Sequence, residues 1–142
     1  MEKLIAQAER MGHRVLDYRF ARIGSVAVRD TNGVCTIGLD RTKLRSRADG
    51  RVVLAHELGH CETGAFYTRD VTPEARGRRE ERADRWAIRS LMPYGAVCAA
   101  LRGGARTTWA LAEAFDVTEA FASKAVAYYR DAKGLPLPPD DD

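Results

Sequence analysis

His56-Glu57-Leu58-Gly59-His60 is the segment of this chain with the residue types and spacing to do chemistry. It reads H-E-x-x-H and takes two of the three histidines in the sequence. On a helix, side chains four residues apart stand one turn above the other on the same face, so two imidazoles so spaced can grip one Zn²⁺. A glutamate beside the first of them lies close enough to take a proton from a water on that ion. The string therefore points to a zinc-dependent hydrolase, and among hydrolases to a peptidase. The competing reading is a surface helix that happens to carry two unrelated histidines.

The elements around the motif suit it. Val52, Val53, Leu54, Ala55 and Leu58 supply apolar surface before and within it, no proline interrupts residues 42–63, and Gly64 is a stop signal. Gly50 and Gly59 weaken the helix, each by up to about 1 kcal/mol relative to alanine. Gly59 has a use, because a missing side chain leaves room for a neighbouring segment to approach. A catalytic zinc takes three protein ligands and keeps one position for water, so a third ligand is needed. His13 lies ahead of the predicted sheet and reads as a surface or capping residue. The next helix offers Glu80-Glu81-Arg82-Ala83-Asp84. Glu80 and Asp84 share a face, so one can bind metal while the other hydrogen-bonds a liganding histidine from behind. Glu81 points elsewhere. From the residues alone, the opposite reading is equally open: three surface carboxylates paired with neighbouring arginines.

The rest of the chain reads as α+β. Residues 1–13 form a short helix, with Leu4, Ile5, Ala8 and Met11 at helical spacing. Val15–Phe20 and Ile23–Arg29 read as strands, Asp30-Thr31-Asn32-Gly33 as a type I′ hairpin turn, and Val34–Leu39 as the returning strand, giving a small antiparallel sheet. The motif helix follows, then a second strong helix over Glu74–Leu91 that ends before Pro93. Residues 94–101 form another short helix, and Gly103-Gly104 is a break. Thr107 or Thr108 caps a helix holding Trp109, Leu111, Ala112 and Phe115; Thr118 caps one that buries Phe121, Ala125, Val126 and Tyr129. The expectation is one domain over residues 1–134, with a helix-turn-helix-like segment at 107–133 and a disordered tail at 135–142.

Composition bounds the setting. A chain of 142 residues with 45% hydrophobic and 30% charged content suits one soluble globular domain. No stretch approaches the roughly 18 apolar residues that cross a bilayer, and the first residues lack a secretory core, so a cytoplasmic protein is expected. Cys35, Cys61 and Cys98 are odd in number, lack C-x-x-C spacing, and are expected to be reduced there. Cys61 follows His60 directly and so points about 100° away from it on a helix, more consistent with a small buried residue than with a ligand to the same ion. The net charge of +3 is too modest to imply nucleic acid. Arginines crowd residues 76–89, and Arg and Lys crowd 41–51, but neighbouring Glu and Asp make solvated helix faces the simpler reading.

In several ordered blocks the chain resembles the ImmA/IrrE family of zinc metallopeptidases, many of them found in phages and mobile elements. The blocks are Leu54-Ala55-His56-Glu57-Leu58-Gly59-His60-Cys61-Glu62-Thr63-Gly64, then Glu80-Glu81-Arg82-Ala83-Asp84-Arg85-Trp86-Ala87, then Leu91-Met92-Pro93. The second fits the family pattern E-x-x-A-[DN]-x-[FW]-A position by position. The resemblance implies metal ligands His56, His60 and Glu80, Asp84 behind a histidine, and Glu57 as general base. It implies one Zn²⁺, with Mn²⁺ or another divalent ion also compatible with such ligands. Tyr67 and Arg79 are the candidate donors to the oxyanion. It further implies a narrow protein substrate, often a helix-turn-helix repressor.

Two other classes of function compete. Residues 110–121 have the rhythm of a DNA-reading helix-turn-helix, but the second helix offers Glu119, Ser123 and Lys124 rather than a set suited to base edges. Direct nucleic-acid binding is therefore not expected. A catalytically silent interaction module would have no need of Glu57.

Overall fold

The computed structural model describes residues 1–66 and 72–139. They divide into two compact units, Met1–Ala87 and Ile88–Asp142. The α+β class is as expected.

The first unit opens with α1 (Glu2–Arg10), which buries Leu4 and Ala8. Strands β1 (Arg14–Asp17), β2 (Ser25–Arg29) and β3 (Cys35–Leu39) form a three-stranded sheet in the order β1-β3-β2. β3 is central and its side chains alternate, with Cys35, Ile37 and Leu39 buried on the core face. The sheet is mixed rather than wholly antiparallel. β2 and β3 form the expected antiparallel hairpin, from Ser25↔Leu39 to Arg29↔Cys35. β1 joins the far side of β3 in parallel, from Arg14↔Thr36 to Asp17↔Leu39. The two segments adjacent in sequence, β1 and β2, thus do not pair, because β3 stands between them.

The hairpin turn also differs from a type I′ turn, which needs positive φ at both central residues. Only Gly33 has it, at 82°. The Asp30 carboxylate accepts the Asn32 and Val34 amides at 2.8 and 3.0 Å, and the Asp30 carbonyl accepts that of Gly33 at 3.1 Å. The aspartate side chain organises the turn and leaves only Gly33 in the left-handed region.

Helix α2 (Arg47–Thr63) starts on a reciprocal cap. Ser46 Oγ accepts the Asp49 amide at 3.0 Å, and the Asp49 carboxylate accepts the Arg45 amide at 3.0 Å. It ends at Gly64 in the left-handed conformation, φ 67°. Leu54, Ala55 and Leu58 are fully buried and fix the rotation of the helix against the sheet. Helix α3 (Pro73–Leu91) begins with the Thr72 hydroxyl accepting the Ala75 amide at 3.1 Å and with proline in the first turn. α2 and α3 touch through backbone. A Cβ placed on Gly59 would stand 2.8 Å from Ala83 Cα and closer still to its carbonyl oxygen. Glycine is the only residue that fits this crossing without the helices moving apart. Of the two basic clusters, Arg41 pairs with Asp17 and Glu2, and Arg85 with Glu81.

In the second unit, α3 finishes with Ile88–Leu91, and α4 (Tyr94–Arg102), α5 (Thr108–Phe115) and α6 (Glu119–Ala127) follow, with a π-helical turn over Tyr128–Ala132. Thr107 and Thr118 cap α5 and α6 by accepting the Ala110 and Phe121 amides. Leu111, Ala112, Val117, Phe121, Ala122 and Ala125 pack between these helices, whereas Trp109 is exposed. Residues 135–139, expected to be disordered, are held by hydrogen bonds. Tyr94 donates to the Pro136 carbonyl, and the Arg106 guanidinium to those of Pro138 and Pro139. Proline carbonyls keep full acceptor strength though the ring nitrogen donates nothing, and a fork of N–H groups can collect two of them. Residues 140–142 lie outside the described residues.

Gly59→Ala is expected to destabilise the chain by about 1–3 kcal/mol in denaturant unfolding, as overpacking between two backbones does; unchanged stability would show that α2 and α3 do not need this approach. The buried Tyr129 hydroxyl donates to the Met92 carbonyl at 2.7 Å, and burial together with Tyr128 pushes its pKa up to about 12. A raised pKa means the fold favours the neutral phenol. Its stabilisation is complete below the ordinary tyrosine value of about 10 and is lost as pH climbs from there to about 12. Tyr129→Phe is expected to cost about 1–2 kcal/mol at neutral pH and to flatten the alkaline limb of the stability curve.

Candidate metal centre

His56 and His60 stand one turn apart on α2, their rings 4.8 Å between centroids and nearly perpendicular at 85°. Their Nε2 atoms approach to 3.2 Å. Glu80, from the first half of α3, reaches across with Oε2 2.9 Å from His56 Nε2 and Oε1 3.0 Å from His60 Nε2. Two nitrogens held at about 2.0–2.1 Å on a tetrahedral zinc would be roughly 3.3 Å apart. The observed spacings are close to that value, and His56, His60 and Glu80 lie near enough together to bind one metal ion.

Each imidazole is held from behind. His56 Nδ1 is 2.7 Å from Asp84 Oδ1, so Asp84 stands one turn beyond Glu80 on the same face of α3. His60 Nδ1 is 2.5 Å from the Ala65 carbonyl oxygen. A carbonyl can only accept, so His60 Nδ1 donates to it and Nε2 is turned toward Glu80. At His56, burial pulls the pKa down, but the Asp84 hydrogen bond and the charges of Glu80, Asp84 and Glu57 outweigh it and raise it. Ala65 and its carbonyl carry no signal in the sequence, because every residue type presents the same oxygen there.

Glu57 is buried, at 5% exposure, and its Oε2 has no hydrogen-bond partner among the described residues. Burial raises its pKa first; His56 and His60 lower it, Glu80 raises it, and a hydrogen bond from Ser25 lowers it. An orphan buried carboxylate oxygen beside three potential ligands is a group in want of a proton-bearing neighbour. The cavity at this point has a volume of about 240 Å³. His56, Glu57, His60 and Glu80 form its floor, and Ser25, Val26, Ala27 and Phe66 its wall. The Arg29 guanidinium sits 4.8 Å over the Phe66 ring and donates to the Cys61 carbonyl at 3.3 Å, tying the wall to the end of α2.

The remaining expectations fall elsewhere. Arg79 does not line the cavity; its Nη1 is buried without a hydrogen-bond partner among the described residues. Tyr67 lies outside the described residues. His13 is not a member of the His56-His60-Glu80 group; its Nε2 is 2.6 Å from Glu62 Oε1. Cys35 and Cys61 are joined as a disulfide, contrary to the expectation of reduced thiols. Facing positions on β3 and α2 bring them together, and a separation of 26 residues hides that from the sequence. No helix among the described residues is long and apolar enough to cross a membrane.

Comparison with known proteins agrees with this geometry. The family described as IrrE N-terminal-like domain, peptidase M78, matches residues 8–126. No curated protein and no solved structure matches the chain. Membership of that family supports a metallopeptidase-type function acting on protein and implies a divalent metal, typically zinc. Most of the chain, with α2 and α3 inside the matched region, therefore belongs to the IrrE N-terminal-like peptidase family.

Proposed function

We propose that the chain is a zinc-dependent endopeptidase of narrow specificity, with His56, His60 and Glu80 as metal ligands, Asp84 orienting His56, and Glu57 as general base. The observation that carries this reading is the convergence across α2 and α3 of His56 Nε2 and His60 Nε2, 3.2 Å apart and each within 3.0 Å of one Glu80 oxygen, beside Glu57 Oε2, which has no hydrogen-bond partner among the described residues. When bound, the cation would lower the pKa of a water and polarise the scissile carbonyl. Glu57 accepts that water's proton on the orphan oxygen and passes it to the leaving amine, a carboxylate raised by burial being suited to both halves of the transfer. Asp84 and the Ala65 carbonyl keep the rings from turning. Tyr67 and Arg79 are the proposed donors to the oxyanion.

The wall of the cavity is an edge strand. One row of β2 backbone groups faces away from β3, so an extended peptide can add to Ser25–Ala27 by main-chain hydrogen bonds. That mode of binding selects an unfolded or looped segment of a protein. The substrate in this reading is a repressor-type regulatory protein of a phage or mobile element, after the family resemblance, and the setting is cytoplasmic.

Glu57→Gln, nearly isosteric, is expected to keep stoichiometric zinc and to lose about 10²–10⁴-fold in cleavage of a repressor encoded beside this gene, scored by co-expression. Cleavage at the wild-type rate would remove Glu57 from the mechanism. Glu80→Ala is expected to lower zinc content measured by elemental analysis; full zinc occupancy would move the third ligand to Glu81 or off α3.

A further inference from the structure

A second constellation of metal-ligating groups lies outside the triad. Cys35 on β3 and Cys61 on α2 have Cα atoms 5.7 Å apart and are both buried. A ring nitrogen of His13 and the two sulfurs all lie within 4.8 Å of one another. His13 follows α1, and its side chain is 13% exposed, so the group sits at the edge of the core within reach of solvent. Glu62 Oε1, 2.6 Å from His13 Nε2, adds negative charge beside it. The α1–β1 connection, β3 and α2 thus deliver donors to one point, and none of these donors belongs to the His56 group.

We propose that His13, Cys35 and Cys61 form a second metal site, which takes a thiophilic d¹⁰ cation such as Zn²⁺ or Cd²⁺ once the disulfide is reduced. Two thiolates and an imidazole are the donor set such ions prefer, and they discriminate against Mg²⁺, Ca²⁺ and Mn²⁺. Two sulfurs on a tetrahedral zinc, each at about 2.3 Å, stand roughly 3.8 Å apart. Side chains whose Cα atoms are 5.7 Å apart reach that separation by rotating about their own bonds. A dithiol supplies the reduction: it gives two electrons and two protons to the S–S bond and leaves as its own disulfide. The two thiols release their protons to solvent as the sulfurs take the cation. Disulfide and metal are mutually exclusive, since a sulfur bonded to sulfur is no thiolate donor. Either state fastens the last turn of α2, which carries His60, to β3; only the reduced state without metal leaves it loose.

The test is titration of the full-length protein with Cd²⁺, followed by the ultraviolet thiolate-to-cadmium charge-transfer band, which histidine and carboxylate ligands do not produce. One sample is reduced and freed of reductant under anaerobic conditions; the other is kept oxidised. The reduced chain is expected to develop a saturable band whose final height corresponds to one thiolate-bound cadmium per chain, a height unchanged in Glu80→Ala and in Cys98→Ser. The oxidised chain should show none. Cys35→Ser should abolish the band. His13→Ala, which leaves both thiols and the core intact, should weaken cadmium affinity about tenfold or more. A reduced chain without a saturable band, or one whose band is indifferent to His13→Ala, would overturn the assignment.

Discussion

The geometry of the candidate site depends on a backbone-to-backbone contact. Where α2 crosses α3, Gly59 offers no side chain and the Ala83 main chain fills the space. His60 follows Gly59 on one helix, and Glu80 and Asp84 flank Ala83 by three residues and one on the other. Because Cβ atoms are absent or small on both sides of the crossing, the carboxylates of α3 arrive at hydrogen-bonding distance from the imidazoles. Longer side chains at either position would hold the helices apart by more than a metal–ligand bond can stretch. Leu54 and Leu58, fully buried, set the rotation of α2 that makes this face of it available.

The site is electrostatically asymmetric in a way that suits its proposed chemistry. His56 is backed by a carboxylate and His60 by a neutral carbonyl. A carboxylate partner makes an imidazole more basic and a stronger electron donor; a carbonyl fixes orientation with less effect on basicity. The negative charge of Glu80 and Asp84 lies along one side, and Glu57 sits buried on another with one oxygen unspent. Burying that oxygen without a partner is unfavourable for folding alone, which is why such groups cluster at sites that bind or react.

Much of this was legible in the residues, and the illegible parts share a cause. The H-E-x-x-H spacing and the Glu80/Asp84 pair are local patterns, since helical periodicity alone puts each pair on one face. The caps at Ser46, Thr107 and Thr118 are local too. Strand order was not. Nothing in the composition of β1 distinguishes pairing with β2 from pairing with β3; the choice is made by what packs beneath the sheet. Asn32-Gly33 suggested a two-residue turn, but the Asp30 carboxylate captured two amides first. The Cys35–Cys61 bond and the Arg106 hold on the proline carbonyls join residues far apart in sequence, and no periodicity records such meetings. The second unit contributes no residue to the triad, and its capped helices were read correctly for reasons unconnected with catalysis.

The hold on His60 comes from main chain rather than from a side chain. Gly64, in its left-handed conformation, turns the strand of peptide just past α2 so that the oxygen of the next residue meets the ring. Position 65 is already alanine, so an alanine scan passes over it without a mark. Tools that infer importance from side-chain replacement are blind to a contact of this kind. Replacing the Ala65–Phe66 amide by an ester would make it visible, since that swap weakens the acceptor and leaves every side chain in place, removing besides only the Phe66 N–H that donates to the Gly64 carbonyl.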